Sequence, residues 1–332
     1  MIKINNKLLL LIVSVLILIG ILRFSENTND FGSYNPDWNG GMQIRKLMSE
    51  NHQVIVMQGR GDLSSYRSNK TTFVILGPRG NFSENDTAII RKFVETGGLL
   101  ILADDFGSGN ELLNRFTTSV SFSNMLLKDD ISFWKNFTFP VASTGIRNVS
   151  NITMNYPTSL VITDESVEVL STSRFGMISK NESERGQSGS YPLIAQFSYG
   201  NGEIVVISDP SIFINSMLQM EDNKPLLEEL VGNRTTVIFD ETGRMPPVLS
   251  FNYLVKTNPY FQYLFAGTIL SLTYIYINKR KIGVFGRKKT EIKGYEKMDE
   301  EYIISDILKR HNWNKQKLML FRTRLKRGNN EK

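Results

Sequence analysis

The chain has 332 residues, with 39 Lys and Arg against 33 Asp and Glu and a formal net charge of +6. This length is enough for one large domain or two small ones. The chain contains no cysteine, which excludes disulfides, thiolate nucleophiles and cysteine metal sites. Its two histidines, His52 and His311, lie far apart in the sequence.

An uncharged apolar stretch, residues 8–22, lies near the amino terminus between Lys7 and Arg23. It is shorter than the about 20 residues that a membrane-spanning helix needs. A cleaved signal peptide is the rival interpretation, but residues 19–22 lack the small-residue site that cleavage prefers. Every helical face is apolar, which disfavours a buried helix of a soluble domain. We therefore predict an uncleaved signal anchor over residues 1–23.

After a polar linker, the next part of the chain alternates strand patterns with helix patterns. Ser83 followed by Asp86 is typical of the start of a helix. Alternation at this spacing predicts a parallel sheet with helices on both faces. The predicted elements are helices over 40–51 and after Ser83, and strands over 54–57, 72–76 and 99–103.

Between about residues 110 and 200 the pattern changes to short β-type segments. We interpret this region as a β-rich elaboration of one domain, because the α/β pattern resumes after it. A turn at 199–202 is of the kind that joins antiparallel strands, and residues 181–190 predict a polar, flexible loop. The predicted strands are 132–139, 151–155, 159–163, 167–171 and 194–199.

Residues 202–241 read as a strand, a helix and a second strand. The first strand, 203–207, stops before Asp209, and the second, 235–239, stops before Asp240 and Glu241. Asp222 is in position to cap the helix between them, and Gly232 follows the helix where a C-terminal glycine is common. The predicted fold is therefore α/β, a doubly wound, mostly parallel sheet with a β-rich insertion.

A second uncharged run, residues 259–277, has tyrosine and phenylalanine at both ends, as in an aromatic belt at the two membrane interfaces. Residues 278–332 then carry a net charge of +10, whereas residues 24–277 carry a net charge of −7. The excess of Lys and Arg places the tail in the cytoplasm. We therefore predict a second transmembrane helix over 259–277, an extracytoplasmic domain over 24–258, and both termini in the cytoplasm.

The basic tail, 278–332, predicts two helices, over 299–311 and 315–326. The second is basic and amphipathic, so it can lie on a membrane or dock to an acidic partner. A small two-helix cytoplasmic unit is the plain alternative. Beside a membrane span, anionic lipid head groups explain the charge better than nucleic acid does.

Eight Asn-x-Ser/Thr sequences all lie between the two predicted spans. Each alone is a weak motif, but their density fits a glycosylated outer surface and, without cysteine, favours an archaeal cell-surface protein. The candidate glycosylation sites are Asn69, Asn81, Asn85, Asn136, Asn148, Asn151, Asn181 and Asn233.

The segments 73–80 and 97–109 resemble the centre of class I glutamine-amidotransferase-like domains. In that fold, which is flavodoxin-like, the turn after the second of these strands carries a cysteine nucleophile. Here Asp105-Phe106-Gly107 stands at that turn, and no histidine follows in the outer domain to act as a base. The resemblance therefore implies the fold, while the residues exclude amidotransferase chemistry.

The wider layout resembles a family of membrane-anchored prokaryotic proteins of unknown function, the DUF4350-like proteins. The matching motifs are residues 34–40, 200–209, Asn215, Asp222-Asn223 and Asp240-Glu241. The resemblance implies an accessory role beside MoxR-type AAA ATPases, and related gliding-type domains imply an auxiliary subunit of an ABC exporter. Both implications are associations, which supply no mechanism.

The acids at the ends of the predicted parallel strands form the candidate site. The carboxyl ends of parallel strands meet at one edge of a sheet, where α/β proteins bind ligands. Carboxylates there can bind Ca²⁺ or Mg²⁺ or act as an acid and base, although Asp at a strand end often only caps the following turn. The candidates are Asp104, Asp105, Asp209, Asp240 and Glu241, with Asn215, Asp222, Asn223 and Arg79 nearby.

Two functions from different classes follow. The first is a non-catalytic surface module that binds a protein partner or a small ligand, because the nucleophile and base are missing. The alternative is a metal-dependent hydrolase that uses the strand-end acids. No resident cofactor is expected in the first case, and Ca²⁺ or Mg²⁺ is expected in the second.

Overall fold

The computed structural model describes residues 12, 14–15, 29–165, 167–184, 186–244, 258–282, 305, 308–310, 316 and 319–320. The chain divides into two compact units, Met1–Leu270 and Ser271–Lys332, which are considered separately. The predictions for the signal anchor, for most of the basic tail and for His311 lie outside the described residues.

The helices and strands of the first unit follow the predicted order closely, and the β-rich region contains more strands than were predicted. Their bounds in chain order are α1 Met42–Asn51, β1 Gln53–Met57, β2 Thr71–Leu76, α2 Glu84–Glu95, β3 Leu99–Ala103, α3 Gly109–Leu113, β4 Val120–Phe122, β5 Leu126–Asp129, β6 Val141–Ser143, β7 Asn151–Thr153, β8 Leu160–Ile162, β9 Glu168–Ser171, β10 Gly176–Ser179, β11 Gln187–Gly189, β12 Pro192–Tyr199, β13 Gly202–Ile207, α4 Asn223–Val231 and β14 Thr236–Asp240.

The main sheet has seven strands in the order β1-β14-β2-β3-β13-β12-β9. The first five are parallel to one another, and β12 is antiparallel to both of its neighbours. The prediction of an α/β fold with a mostly parallel sheet is confirmed. The unit β13-α4-β14 also forms, but its two strands are separated in the sheet by β2 and β3.

The two faces of the sheet are buried under different helices, as the predicted alternation requires. Side chains alternate along each strand, so Val74 of β2 packs in one apolar core and Phe73 in the other. Helices α1 and α4 contribute to the first core and α2 to the second. Strands β2 and β3 are buried along their whole length, which makes them the centre of the fold.

Local sequence signals explain how the helices next to the site begin and end. Ser83 accepts a hydrogen bond from the Asp86 backbone N–H, and the Asp86 carboxylate accepts one in return, which is the predicted capping box. Gly232 ends α4 with a positive φ of 59°, a conformation that favours glycine. The first cap fixes where α2 begins after β2, and the second fixes where the chain turns toward β14.

The β-rich region forms three small sheets, β11-β10-β5, β4-β8 and β6-β7. Two predictions in this region were wrong. The predicted strand 132–139 is mostly turn, with a single bridge between Phe133 and Pro140 and a positive φ at Lys135. The predicted flexible loop 181–190 contains β11, because its polar residues pair with β10 at the surface.

A helix, α5, forms over Pro259–Ile282 and contains the second predicted span. In the part of the chain that the structure describes, no helix combines the length and the apolar character needed to cross a membrane. The span predicted over 259–277 is therefore not supported. Polar residues interrupt its apolar sequence, among them Gln262, Thr268, Ser271 and Thr273.

Candidate functional site

The strand-end acids lie at the carboxyl edge of the parallel strands, as predicted. Asp104 and Asp105 follow β3, Asp209 follows β13 by two residues, and Asp240 ends β14. Asp104, Asp209, Asp240 and Glu241 are buried, and Asp105 is partly exposed. Their hydrogen bonds show that they serve different purposes.

Asp240 forms a buried ion pair with Arg60, which begins a short 3₁₀ helix after β1. The Asp240 Oδ2 accepts bonds from Arg60 Nε at 3.0 Å and from Arg60 Nη2 at 2.8 Å. Its Oδ1 accepts a bond from the Thr242 backbone N–H at 3.0 Å. The Arg60 guanidinium also lies over the Phe82 ring at 4.1 Å and 3.6 Å from Asp86. Asp240 is therefore neutralised and hydrogen-bonded within the fold.

Glu241 holds the part of the chain that precedes α1. Its Oε1 accepts a bond from the Ser33 backbone N–H at 2.7 Å and another from the Ser33 hydroxyl at 2.6 Å. The buried Arg244 donates to the carbonyl oxygens of Asp30, Leu76 and Asp240. Burial lowers the pKa of Arg244, and the nearby Glu241 carboxylate opposes that shift.

Residues 29–41, called the entry segment here, cover the carboxyl edge of the sheet. The Phe31 ring packs against Gly77 at the end of β2, where a Cβ atom would lie 2.4 Å from the Phe31 Cδ2. Asn215 donates to the carbonyl oxygens of Asn35 and Asp37 at 3.0 and 2.6 Å and accepts from the Gln43 backbone N–H. The chain itself thus occupies part of the position where α/β proteins bind ligands.

The remaining predicted polar residues also hold loops together. Asp222 forms no side-chain cap on α4; its Oδ2 instead accepts bonds from the backbone N–H groups of Ser150 and Asn151. The fully buried Asn223 bonds both backbone groups of Thr153. Arg79 lies at the same edge and pairs with Asp30 at 3.5 Å. The predicted cap at Asp222 is thus corrected, because a neighbouring loop takes its carboxylate.

Asp104, Asp105 and Asp209 form a second group on the adjacent strands β3 and β13. Asp104 Oδ2 accepts a bond from the Gly109 N–H at 2.6 Å, and Asp105 Oδ1 accepts one from the Phe106 N–H at 2.6 Å. Asp209 is fully buried and accepts bonds from the N–H groups of Asn155 and Ser211 at 2.6 and 2.7 Å. Within the described residues, this group forms no ion pair with Lys, Arg or His.

Burial dominates the electrostatics of this acidic group. It raises the pKa of Asp209 from 3.8 to about 7 and the pKa of Asp104 to about 6, against the opposing effect of the backbone hydrogen bonds. Burial raises the pKa of Asp105 as well. The charge of Asp105 adds to the shifts of both neighbours, so the three carboxyl groups are electrostatically coupled.

Among the described residues, this edge has neither a histidine that could act as a general base nor a set of metal ligands. His52 lies at the opposite, amino edge of the sheet, where its ring Nδ1 bonds the Arg234 carbonyl oxygen at 2.8 Å. Among the residues that the structure describes, no group of three or more His, Asp or Glu side chains is arranged to hold a metal ion. Asp105 does not adopt a positive φ, so its turn is not left-handed at that residue.

The eight candidate glycosylation sites differ in accessibility. Asn151 is partly buried in β7, and its Oδ1 accepts a bond from the Ser143 hydroxyl. Asn148 Nδ2 donates to Glu229 at 2.7 Å. Asn148 and the other candidates are exposed, namely Asn69, Asn81, Asn85, Asn136, Asn181 and Asn233.

Sequence reasoning missed the residues that bind the strand-end acids. Arg60 contacts Asp240, Ser33 contacts Glu241, and Arg244 contacts the carboxyl end of β2. In each pair the two residues lie about 170 to 210 positions apart in the sequence. A charged residue soon after a strand, as Arg60 is three residues after β1, was the available signal for the first of these contacts. No sequence pattern indicated the contacts of Ser33 and Arg244, because the order of strands in the sheet determines their partners.

A surface cavity of about 270 Å³ lies away from these acids. It is bounded by β9, β12, α4 and the loop at residues 145–146. None of its lining residues is titratable. The cavity therefore offers shape and apolar surface rather than acid or base chemistry.

The sequence of residues 33–231 matches the family described as "Domain of unknown function (DUF4350)". The matched range includes the entry segment from Ser33, both Asp104 and Asp209, and the pair Asp222-Asn223. It ends before Asp240 and Glu241. The comparison with curated proteins found no match.

Several solved structures are similar at low identity. The mmIFT52 N-terminal domain is 15% identical, with a TM-score of 0.46, over 57% of this chain and 86% of that one. A β-galactosidase from Bacillus circulans sp. alkalophilus is 13% identical, with a TM-score of 0.31, over 51% of this chain but only 23% of that one. A ThuA-like protein from Bacteroides uniformis ATCC 8492 is 10% identical, with a TM-score of 0.31, over 69% and 85%. We draw no conclusion about chemistry from likenesses of this degree.

Proposed function

Because this chain belongs to the DUF4350 family, a domain of unknown function, we propose its role from its own residues: a non-catalytic, membrane-anchored module that binds a protein partner or a small ligand. One observation carries the proposal. The strand-end acids of β14 are bound inside the fold, Asp240 by Arg60 and Glu241 by Ser33. A carboxylate that is buried and fully hydrogen-bonded has little capacity left to act on a substrate.

The entry segment supports the same role. It lies over the carboxyl edge of the sheet and is held by Asn215, Glu241 and Arg244. Asp105-Phe106-Gly107 stands where the resembling amidotransferase-like domains carry a cysteine nucleophile, and this chain has no cysteine. We therefore propose that this chain keeps the fold of that class without its chemistry.

The proposed location is the membrane surface, with residues 29–244 outside the cytoplasm. The support is the uncharged stretch 8–22 and the separation of a net charge of −7 in residues 24–277 from +10 in the tail. The proposed partners are membrane-associated complexes, of the MoxR-type ATPase or transporter kind that the family resemblance implies. The anchor over residues 1–23 and the helical tail rest on the sequence alone. A span over 259–277 is not part of the proposal, because the helix described there is not apolar enough to cross a membrane.

The test begins with the full-length protein in native membranes. We expect affinity capture after cross-linking to recover a defined membrane complex, and we expect the purified chain to leave glycan, peptide and phosphate ester substrates unchanged. Turnover of any of these that Asp209→Asn abolishes would sink the proposal. Asp62→Asn, at an exposed aspartate, is the matched control.

The metal-dependent hydrolase remains the second candidate because of one observation. Asp104, Asp105 and Asp209 are coupled carboxyl groups without an ion-pair partner among the described residues. Carboxylates can bind hard cations such as Ca²⁺ or Mg²⁺, although in this structure the described residues contain no group of three arranged to hold one. This candidate requires divalent-cation binding that depends on Asp105.

A further inference from the structure

The domain formed by residues 29–244 begins and ends at the same place. The Arg244 Nε donates to the Asp30 carbonyl oxygen at 3.1 Å, and both residues lie at the carboxyl edge of the sheet. The chain that precedes residue 29 and the chain that follows residue 244 therefore both join the domain at this edge.

The distance from the proposed anchor to this edge is short. Seven residues, 23–29, join the apolar stretch 8–22 to Asp30. An extended chain covers at most about 3.5 Å per residue, so this linker reaches about 25 Å at most. If residues 8–22 lie in a membrane, the carboxyl edge of the sheet is held close to the membrane surface.

Exposed aromatic side chains are attached to this edge from separate parts of the chain. Trp38 is 60% exposed, and its carbonyl oxygen accepts a bond from the backbone N–H of Ser216, nine residues after β13 ends. Phe106 is 51% exposed and directly follows Asp105. Tyr156 follows Asn155, whose N–H bonds Asp209. We call Trp38, Phe106, Phe133, Phe137 and Tyr156 the aromatic patch, since each is exposed.

The turn over residues 131–140 contributes most of this apolar surface. Ile131 is 67% exposed, and Phe133 and Phe137 are exposed beside it. Phe139 links the turn to Tyr156 through an edge contact at 6.0 Å. The exposed Lys135 lies on this turn, with its Nζ 4.0 Å from the Trp134 centroid. Lys128 Nζ lies 5.8 Å from the Phe137 centroid but is buried, and it donates to the carbonyl oxygens of Glu182 and Glu184.

This combination suits a lipid head-group layer better than a sugar. Aromatic rings partition to the membrane interface, and the exposed Lys135 can place its charge at the level of the phosphates. A sugar that stacks on a ring requires an open ring face, whereas the lysines already lie over Trp134 and Phe137. Single exposed apolar residues are normal on a protein surface, whereas exposed aromatic side chains attached to one edge from several segments are a candidate interaction surface.

We propose that the aromatic patch rests on the head-group layer of the membrane that carries the anchor, so that the carboxyl edge of the sheet faces the lipid. This inference rests on the membrane location given under the proposed function.

The absence of cysteine makes a direct test possible. A nitroxide spin label is attached to the single cysteine of each variant. In Phe106→Cys and Phe137→Cys the label lies on the patch, and in Asn233→Cys it lies at the exposed amino edge, before β14. The full-length variants are reconstituted in vesicles of phosphatidylcholine and phosphatidylglycerol. We expect the patch labels to collide several-fold less with a water-soluble nickel chelate and more with oxygen than the label at residue 233 does.

Flotation of the same vesicles separates the possible failures. If the chain does not float with the vesicles, the membrane location of the proposed function fails, and this inference fails with it. If the chain floats but the labels at residues 106, 137 and 233 are equally accessible to the nickel chelate, the orientation proposed here is wrong while the anchoring stands. Two labelled patch positions guard against one variant that fails to fold.

Discussion

Three of the acids at the carboxyl edge are bound by a donor from a distant part of the sequence. Arg60 reaches Asp240 from the end of β1, Ser33 reaches Glu241 from the entry segment, and the Asn155 N–H reaches Asp209 from the β-rich region. A buried charge is tolerated only with such partners. At the scale of single residues, these acids therefore specify which parts of the chain meet, which is a structural role.

The Arg60–Asp240 pair is expected to stabilise the fold strongly once it is formed. Both side chains are almost fully buried, so Asp240→Ala leaves a buried guanidinium without its main partner. We expect the free energy of unfolding to fall by about 3–5 kcal/mol. Urea denaturation measures it, with Asp62→Ala at an exposed position as the control.

The double variant Arg60→Met with Asp240→Leu sharpens this prediction. Replacing both charges with apolar groups removes the buried charge that the single variant leaves, so a large part of the lost stability returns. A double variant as unstable as Asp240→Ala alone would show that the ion pair is not the cause.

The pKa of Asp209 predicts how stability depends on pH. Burial raises this pKa to about 7 in the folded protein, against 3.8 as the ordinary value. A raised folded pKa gives stability that is complete below the ordinary pKa and is lost as pH rises through the folded pKa. We therefore expect a lower free energy of unfolding at pH 8 than at pH 5, by urea denaturation at both values.

Asp209→Asn tests the assignment of this pH dependence. Asparagine does not titrate, so the difference between pH 5 and pH 8 becomes smaller, although the variant also loses one acceptor for a backbone N–H. Asp104, with a pKa raised to about 6, retains part of the effect. A pH dependence unchanged from that of the wild type would contradict the burial of a titrating Asp209.

At the scale of elements, the entry segment closes the carboxyl edge because a glycine directly follows β2. Gly77 has a φ of +49°, and its missing Cβ lets the Phe31 ring lie on the strand end. Phe31 itself has a positive φ of 60°, which is unusual for a residue with a side chain. The close contact between Phe31 and Gly77 holds this segment in that conformation.

Gly77→Ala is expected to release the entry segment. The new Cβ would lie 2.4 Å from the Phe31 ring, so the ring has to move. Gly80→Ala is the matched control, since Gly80 also has a positive φ but has no atom near the new Cβ. We expect Gly80→Ala to cost about 1–2 kcal/mol of backbone strain and Gly77→Ala to cost about 1–3 kcal/mol more.

Amide hydrogen exchange shows whether this loss is local. Residues 29–41 should exchange faster in Gly77→Ala than in Gly80→Ala, while β2 and β3 exchange at similar rates in both. Equal exchange of the entry segment in the two variants would mean that Phe31 does not hold it in place.

Periodicity and caps predicted the parallel half of the fold well, because those signals are local. The strand 99–103 was predicted with its observed bounds, and the capping box at Ser83 formed as expected. The turn over 131–140 was missed because its Phe, Trp and Thr residues have high β propensity, while its conformation is set by tertiary contacts. The neutralising partners of Asp240 and Glu241 were missed because they depend on sheet order.

At the scale of the whole molecule, the proposed placement of the domain outside the cytoplasm rests on the charge distribution of the sequence. The chain enters and leaves this domain at one edge, beside Asp30 and Arg244. We expect full-length chain to fractionate with membranes, and a variant in which Leu10, Leu16 and Leu18 are changed to Lys to be released. Retention of that variant in the membrane fraction would contradict anchoring by residues 8–22.

The central claim is that the strand-end acids serve the fold and a binding surface rather than metal-dependent chemistry. Calorimetric titration of the full-length protein with Ca²⁺ and Mg²⁺ tests it most directly, with Asp105→Ala and the exposed-site control Asp62→Ala titrated alongside. We expect the wild type and both variants to give the same weak, non-saturating heats. A saturable site in the wild type and in Asp62→Ala that Asp105→Ala removes would contradict the account and favour the hydrolase.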